Sequence, residues 1–265
     1  MWQEITAHIN DVVCETRTLS SPPGQLGEVK AHIDQLPMAM RQVDAVQQRV
    51  IQHVDRSTEL INTALLHITQ STTDSNDALL TYTSQVGSEI GQISTELQSL
   101  SQTIGHFRNL LGQDSGVLKS EAMQARARIK ALEDRQRELA RKAQELRNRS
   151  TWTWVFLPAK AIDELISLGQ HGKSTEAALE DAIRELGDKR REASHMIRIS
   201  DVCEQLLSLL NALAEGLQGV INQQAMLKSY LSNEGRFASL TTPDNARLYL
   251  NTVLGILRLM REQAN

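Results

Sequence analysis

Along most of the chain apolar side chains return every three or four positions with polar ones between them, a rhythm that predicts long amphipathic helices. Met40, Val43, Val46, Val50 and Val54, then Ile61, Leu65 and Ile68, make one stripe, with a polar gap near Ser57. A second runs through Leu79, Tyr82, Val86, Ile90, Ile93, Leu97, Leu100, Ile104, Phe107 and Leu111 in steps of three or four. That spacing matches the ~3.5-residue repeat of a coiled-coil seam. STTDSN, residues 71–76, either divides 40–111 into two helices or forms a weak turn inside one. Gly112 and Gly116, around GQDSG, predict a tight reversal.

A third stripe, Leu118, Ala122, Ala125, Ile129, Leu132, Leu139, Ala143 and Leu146, predicts a helix over 117–149 whose alanines permit close helix approach. The return stripe opens at HGKST and includes Leu179, Ile183, Leu186, Ala193, Ile197, Val202, Leu206, Leu209, Leu213, Leu217, Val220, Leu227 and Leu231. Shorter elements flank these. Residues 2–17 place Trp2, Ile5, Ile9, Val12 and Val13 on one helix face, and a second start lies near Leu26, where Pro37 kinks the helix or begins the next. Residues 233–246 read as a loop, and Thr242 with Pro243 caps a last helix bearing Leu248, Leu250, Val253, Leu254, Leu257 and Met260. The pattern predicts an all-α fold: an elongated bundle of long antiparallel coiled-coil helices with a small apolar head between two of them. The body is 1–149 with 172–265; the head is 150–171.

The head breaks the rhythm. In TWTWVFLPAKAIDELISL, residues 151–168, Trp152, Trp154, Val155, Phe156 and Leu157 crowd together without helical spacing. A patch of this kind requires an apolar partner. The run ends at Pro158 and charged residues follow, so it falls far short of the ~20 residues that a membrane-spanning helix needs. Pro158 and Gly169 bracket a short amphipathic helix, 158–168, carrying Ile162, Leu165 and Ile166. Three partners fit the patch: a membrane, a docked protein, or the chain's own bundle.

Composition supports helices over a conventional core, since Trp, Tyr and Phe number three each and prolines only five in 265 residues. The net charge of −4 argues against general nucleic-acid binding. Its distribution is uneven, with 12 acidic and 6 basic residues over 1–112 but 10 basic and 5 acidic over 117–149. Between Arg56 and Arg108 there is no lysine or arginine. That low-charge face is either solvated or packed on another helix. The basic helix reads either as a solvated, salt-bridged surface or, at Arg147 and Arg149, as a contact with anionic lipid head groups.

Chemistry is sparse. GQHGKST lacks the first glycine of a phosphate loop, since position 167 is serine. The seven histidines, His8, His32, His53, His67, His106, His171 and His195, form no recognisable ligand motif, and no nucleophile motif is present. Neither a cofactor, a metal nor an enzymatic activity is expected. Cys14 and Cys203 fit two separate thiols or one bridge. MWQEITAHIND has neither the basic nor the apolar region of a signal peptide.

The seam from Met40 to Leu111, the head at Trp152–Leu168 and the return seam from Leu179 to Leu231 together resemble the cytolysin A-type α-helical pore-forming toxins. That group includes the two-component α-xenorhabdolysin and three-component haemolysin systems. The resemblance implies a subunit that passes from a soluble to a membrane-bound form and assembles with companion subunits as a homo- or hetero-oligomer. It implies membrane contact through Trp152, Trp154, Val155, Phe156, Leu157, Ile162, Leu165 and Ile166, with Arg147 and Arg149 at the head groups. Export without a signal peptide agrees with it. The head is smaller and more charged than a full membrane-spanning hairpin, which implies shallow insertion beside a companion that supplies the transmembrane helices. The competing expectation is a cytoplasmic coiled-coil scaffold whose 151–168 patch docks a partner protein.

Overall fold

The computed structural model describes residues 2–17, 25–70, 75–153, 161–232 and 242–265. They form helices α1 (Trp2–Arg17), α2 (Gln25–Gln70), α3 (Ser75–Thr153), α4 (Ala161–Leu231) and α5 (Pro243–Ala264). The chain is all-α, as the periodicity predicts. Contacts divide it into one unit of Met1–Gln113 with Val202–Asn265 and another of Asp114–Asp201.

In the first unit, 40–111 makes two helices. α2 ends at Gln70 and α3 begins at Ser75. They run antiparallel: Arg49 Nε donates to Glu96 Oε2 at 2.6 Å, His53 Nδ1 lies 2.5 Å from Glu89 Oε2, and His67 stacks on Tyr82. The end of α4 lies along α3, where the buried Gln224 Nε2 donates to the Ile90 carbonyl at 2.7 Å. α5 lies against α2, with Gln47 Nε2 donating to the Ala264 carbonyl at 2.5 Å and Arg261 Nε 2.9 Å from Asp55 Oδ1. It also meets α4, where Tyr230 and Tyr249 stack at 4.8 Å. At Gly219 the Gln263 side-chain amide from the last turn of α5 occupies the space of a Cβ, its Oε1 2.8 Å from where that atom would lie. α1 closes the unit through Thr6 Oγ1, which donates to Asp44 Oδ1 at 3.0 Å.

The seam residues fill this core. Met40, Val43, Val50, Val54, Ile61, Val86, Ile90, Ile93, Leu97, Ile104 and Leu111 are all buried. Trp2, Ile9, Val12 and Val13 join them from α1.

Two expected breaks are absent. Gly112 and Gly116 lie inside α3, and GQDSG is no reversal. A helical glycine costs about 1 kcal/mol relative to alanine, too little to end a helix whose seam continues through buried Leu111, Ser115 and Leu118. Gly169 likewise lies inside α4, which runs from Ala161 to Leu231, so no separate helix ends before it and none opens at HGKST. Cooperative propagation carries a long helix across one weak position.

In the second unit α3 and α4 are also antiparallel, joined where Arg190 Nη2 donates to Glu133 Oε1 at 2.5 Å. The α4 seam keeps Leu186 and Ala193 of the predicted stripe and departs from it at Ile183 and Ile197. Ala182, Leu186, Ala193, Met196, Ile199 and Ser200 are buried, whereas Ile183 is 48% exposed and Ile197 is half-buried. Ala182 and Met196 face inward beside Ile183 and Ile197, whose stronger hydropathy drew the predicted stripe one position away.

Candidate membrane-interaction site

The candidate site is where the α3–α4 hairpin turns. α3 reaches Thr153 and α4 starts at Ala161, so the antiparallel pair brings the last turn of α3 and the first turns of α4 to one end of the second unit. Arg147, Arg149 and Trp152 occupy the last turns of α3, and Ile162, Leu165 and Ile166 the first turns of α4; all six have helical backbone. Helical spacing of three and four groups positions 162, 165 and 166. Trp154, Val155, Phe156 and Leu157 lie outside the described residues, as do Pro158 and the expected start of the short helix.

Behind the turn, the basic stretch of α3 has two parts. Toward the tip it is laced along its own helix: Arg137 lies 3.5 Å from Asp134, Arg141 3.7 Å from Glu145, and Lys142 2.7 Å from Glu138. The Lys142 ammonium, through its hydrogen bond and its charge, holds the Glu138 carboxyl below the usual carboxylate range. Farther back, Arg126, Arg128, Lys130 and Arg135 have no acidic partner among the described residues. There a groove of about 390 Å³ opens between α3 and α4, lined by the apolar Ile129, Ala193 and Ile197 and by Arg126, Arg190, Arg198 and Asp201 as charged residues. The sequence reading missed this groove because it assigned Ile129 and Ile197 to the seam.

Among the described residues no helix is long and apolar enough to cross a membrane, and no group of His, Cys, Asp and Glu side chains is placed to hold a metal ion. Cys14 is exposed on α1 and Cys203 is buried on α4; no disulfide joins them.

This arrangement of helices is the fold of the α-helical pore-forming toxin components. The chain is similar to soluble AhlC of the tripartite alpha-pore forming toxin AHL from Aeromonas hydrophila, with a TM-score of 0.81 and 15% identity over 100% of this chain and 97% of that one. Against the soluble triple head mutant of AhlC the TM-score is 0.86 at 16% identity, with the same coverage. XaxA from Xenorhabdus nematophila gives 0.64 at 11% identity, covering 98% of this chain and 94% of that chain. No protein-family model and no curated protein sequence matches.

Proposed function

We propose that this chain is a component of a multi-subunit α-helical pore-forming toxin, and that residues 150–171 are its membrane-contacting head. The observation that carries this reading is the likeness to soluble AhlC over the whole chain, together with the aromatic, apolar sequence that separates the long helical stretches of α3 and α4. AhlC belongs to a tripartite toxin, and a pore of AhlB from the same toxin has also been solved. By that likeness this chain acts with companion subunits, first in a soluble form and then on the membrane of a target cell. Export without a signal peptide belongs to the same reading.

The head then works by partition rather than by spanning. In the soluble form Trp152, Trp154, Val155, Phe156 and Leu157 are covered by the bundle or by a second copy. At a membrane they move into the interface, where tryptophan is favoured. Full burial is worth about 1.5–3 kcal/mol per large apolar side chain, enough across five residues to offset uncovering the head. Arg147 and Arg149 lie one to two turns before the tongue on α3, placing cations at head-group level once it is inserted.

The test uses Trp2→Phe protein, in which Trp152 and Trp154 are the only indoles, with vesicles of phosphatidylcholine alone or mixed with phosphatidylserine. Emission should shift to the blue on vesicles, more strongly on the anionic ones. Trp152→Asp with Trp154→Asp, made in the otherwise wild-type chain, should abolish vesicle leakage and leave helicity unchanged. If no shift occurs on either vesicle with companion subunits present, and leakage survives the double substitution, the tongue has no membrane role and the scaffold reading replaces this one.

A further inference from the structure

We propose that two copies of this chain associate through α4, side by side and antiparallel, with Ile183 of each seated in the Arg198-lined groove of the other. Ile183, Gly187, Arg190, Ser194, Ile197 and Asp201 follow one another on α4 in steps of four and three, making a second stripe beside the buried seam. Ile183 is 48% exposed at one end of it. At the other end is the groove, with Ile129, Ala193 and Ile197 forming apolar walls. The chain therefore carries both an exposed aliphatic knob and an apolar hollow on one face.

The charges fit the same register. Glu180, one turn before Ile183, is exposed, and neither it nor Arg198 has an ionic partner among the described residues. Glu180 and Arg198 are about five whole turns apart at ~3.6 residues per turn, so they share one side of α4. Turning a second α4 end for end and setting Ile183 opposite Ile197 brings Glu180 opposite Ser200, two residues and about 3 Å along the axis from Arg198 on the same side, within reach of its guanidinium. The same register sets Gly187 opposite Ala193 and Ser194. A Cβ at Gly187 would meet nothing within 4 Å in this chain, and small residues on both helices allow close approach. Two-fold symmetry repeats each contact, giving two seated isoleucines and two ion pairs. Arg190 falls near the axis, where each guanidinium is already met by its own Glu133 at 2.5 Å.

A second copy fits this hollow better than a lipid head group does. At ~1.5 Å per residue Arg126 stands about 40 Å along α3 from Trp152, beyond the head groups of a membrane met at the tip. The hollow requires an aliphatic side chain with a carboxylate at a fixed offset, and α4 itself presents that pair. In the antiparallel dimer the two tips lie at opposite ends, so, on the function proposed above, the copies separate before both reach one membrane.

Sedimentation of the full chain at micromolar concentration tests the interface without using lysis, so its outcome is separate from the fate of the pore-forming reading. The wild-type chain should dimerise, less tightly at high salt. Arg198→Glu and Glu180→Arg should each weaken the dimer by about tenfold or more, and the double exchange should recover most of the loss, with circular dichroism unchanged throughout. A wild-type chain that stays monomeric overturns the proposal. So does a dimer that the single substitutions leave intact, or one that the double exchange does not recover.

Discussion

Trp2 has no exposed surface, and its indole Nε1 has no hydrogen-bond partner among the described residues. Its contribution is therefore aromatic bulk, not a polar tie. Phenylalanine keeps most of that bulk and removes an unpaired buried donor, so Trp2→Phe should stay within about 1 kcal/mol of wild type in urea unfolding, whereas Trp2→Ala should lose about 3–5 kcal/mol. An equally large loss for both would show that the indole N–H is bonded after all. Ser57 obeys the same logic in the α2 seam. It is fully buried, and its Oγ has no partner among the described residues. Removing an unsatisfied buried hydroxyl relieves a desolvation cost, so Ser57→Ala should raise stability by about 1 kcal/mol. A lowered unfolding midpoint would contradict that account.

At the scale of the element, α5 shows a boundary written in the sequence. Thr242 takes extended backbone, φ −115° and ψ 145°, its hydroxyl accepts from the Asn245 N–H at 3.3 Å, and Pro243 follows in the first turn. Thr242→Ala should cost about 1 kcal/mol, with the loss appearing first as faster amide exchange in the opening turn of α5. The seams of α2 and α3 were equally legible, because Val50, Ile90 and Ile104 are large residues at a strict repeat and all are buried. Glycines misled at Gly112, Gly116 and Gly169. A glycine signals a break only where the seam stops with it, and at Gly112 it does not. The α4 seam misled in part: Leu186 and Ala193 of the predicted stripe are buried, but Ala182 and Met196 turn inward where the hydropathy pattern favoured Ile183 and Ile197. The break between α3 and α4 was readable from the aromatic crowding at 152–157, where helical spacing lapses. The Arg198 groove was not, because it depends on which of two adjacent stripes turns inward.

At the scale of the whole molecule the two units differ in how completely their seams are covered. In the first unit Leu97, Leu100, Ile104, Leu206, Leu213, Leu217 and Val220 are all buried, as helices from several directions close over them. In the second, burial along α3 persists through Leu118, Ala122 and Ala125. Beyond those, Ile129, Leu132, Leu139 and Ala143 are only half-buried. A helix paired with one neighbour covers only part of its apolar stripe, so these turns are held by less burial per residue and by exposed ion pairs of small individual worth. Local opening should follow that gradient. Hydrogen exchange on the full chain should therefore find the slowest amides in α2, in α3 around 86–111 and in α4 around 206–227, with protection on α3 falling steadily from about 125 toward 143. Uniform protection along all of α3 would mean that its helix opens only with the whole molecule. The expected gradient means that the stretch leading to residues 150–171 loosens while the five-helix unit stays closed, as the membrane-contacting head proposed above would require.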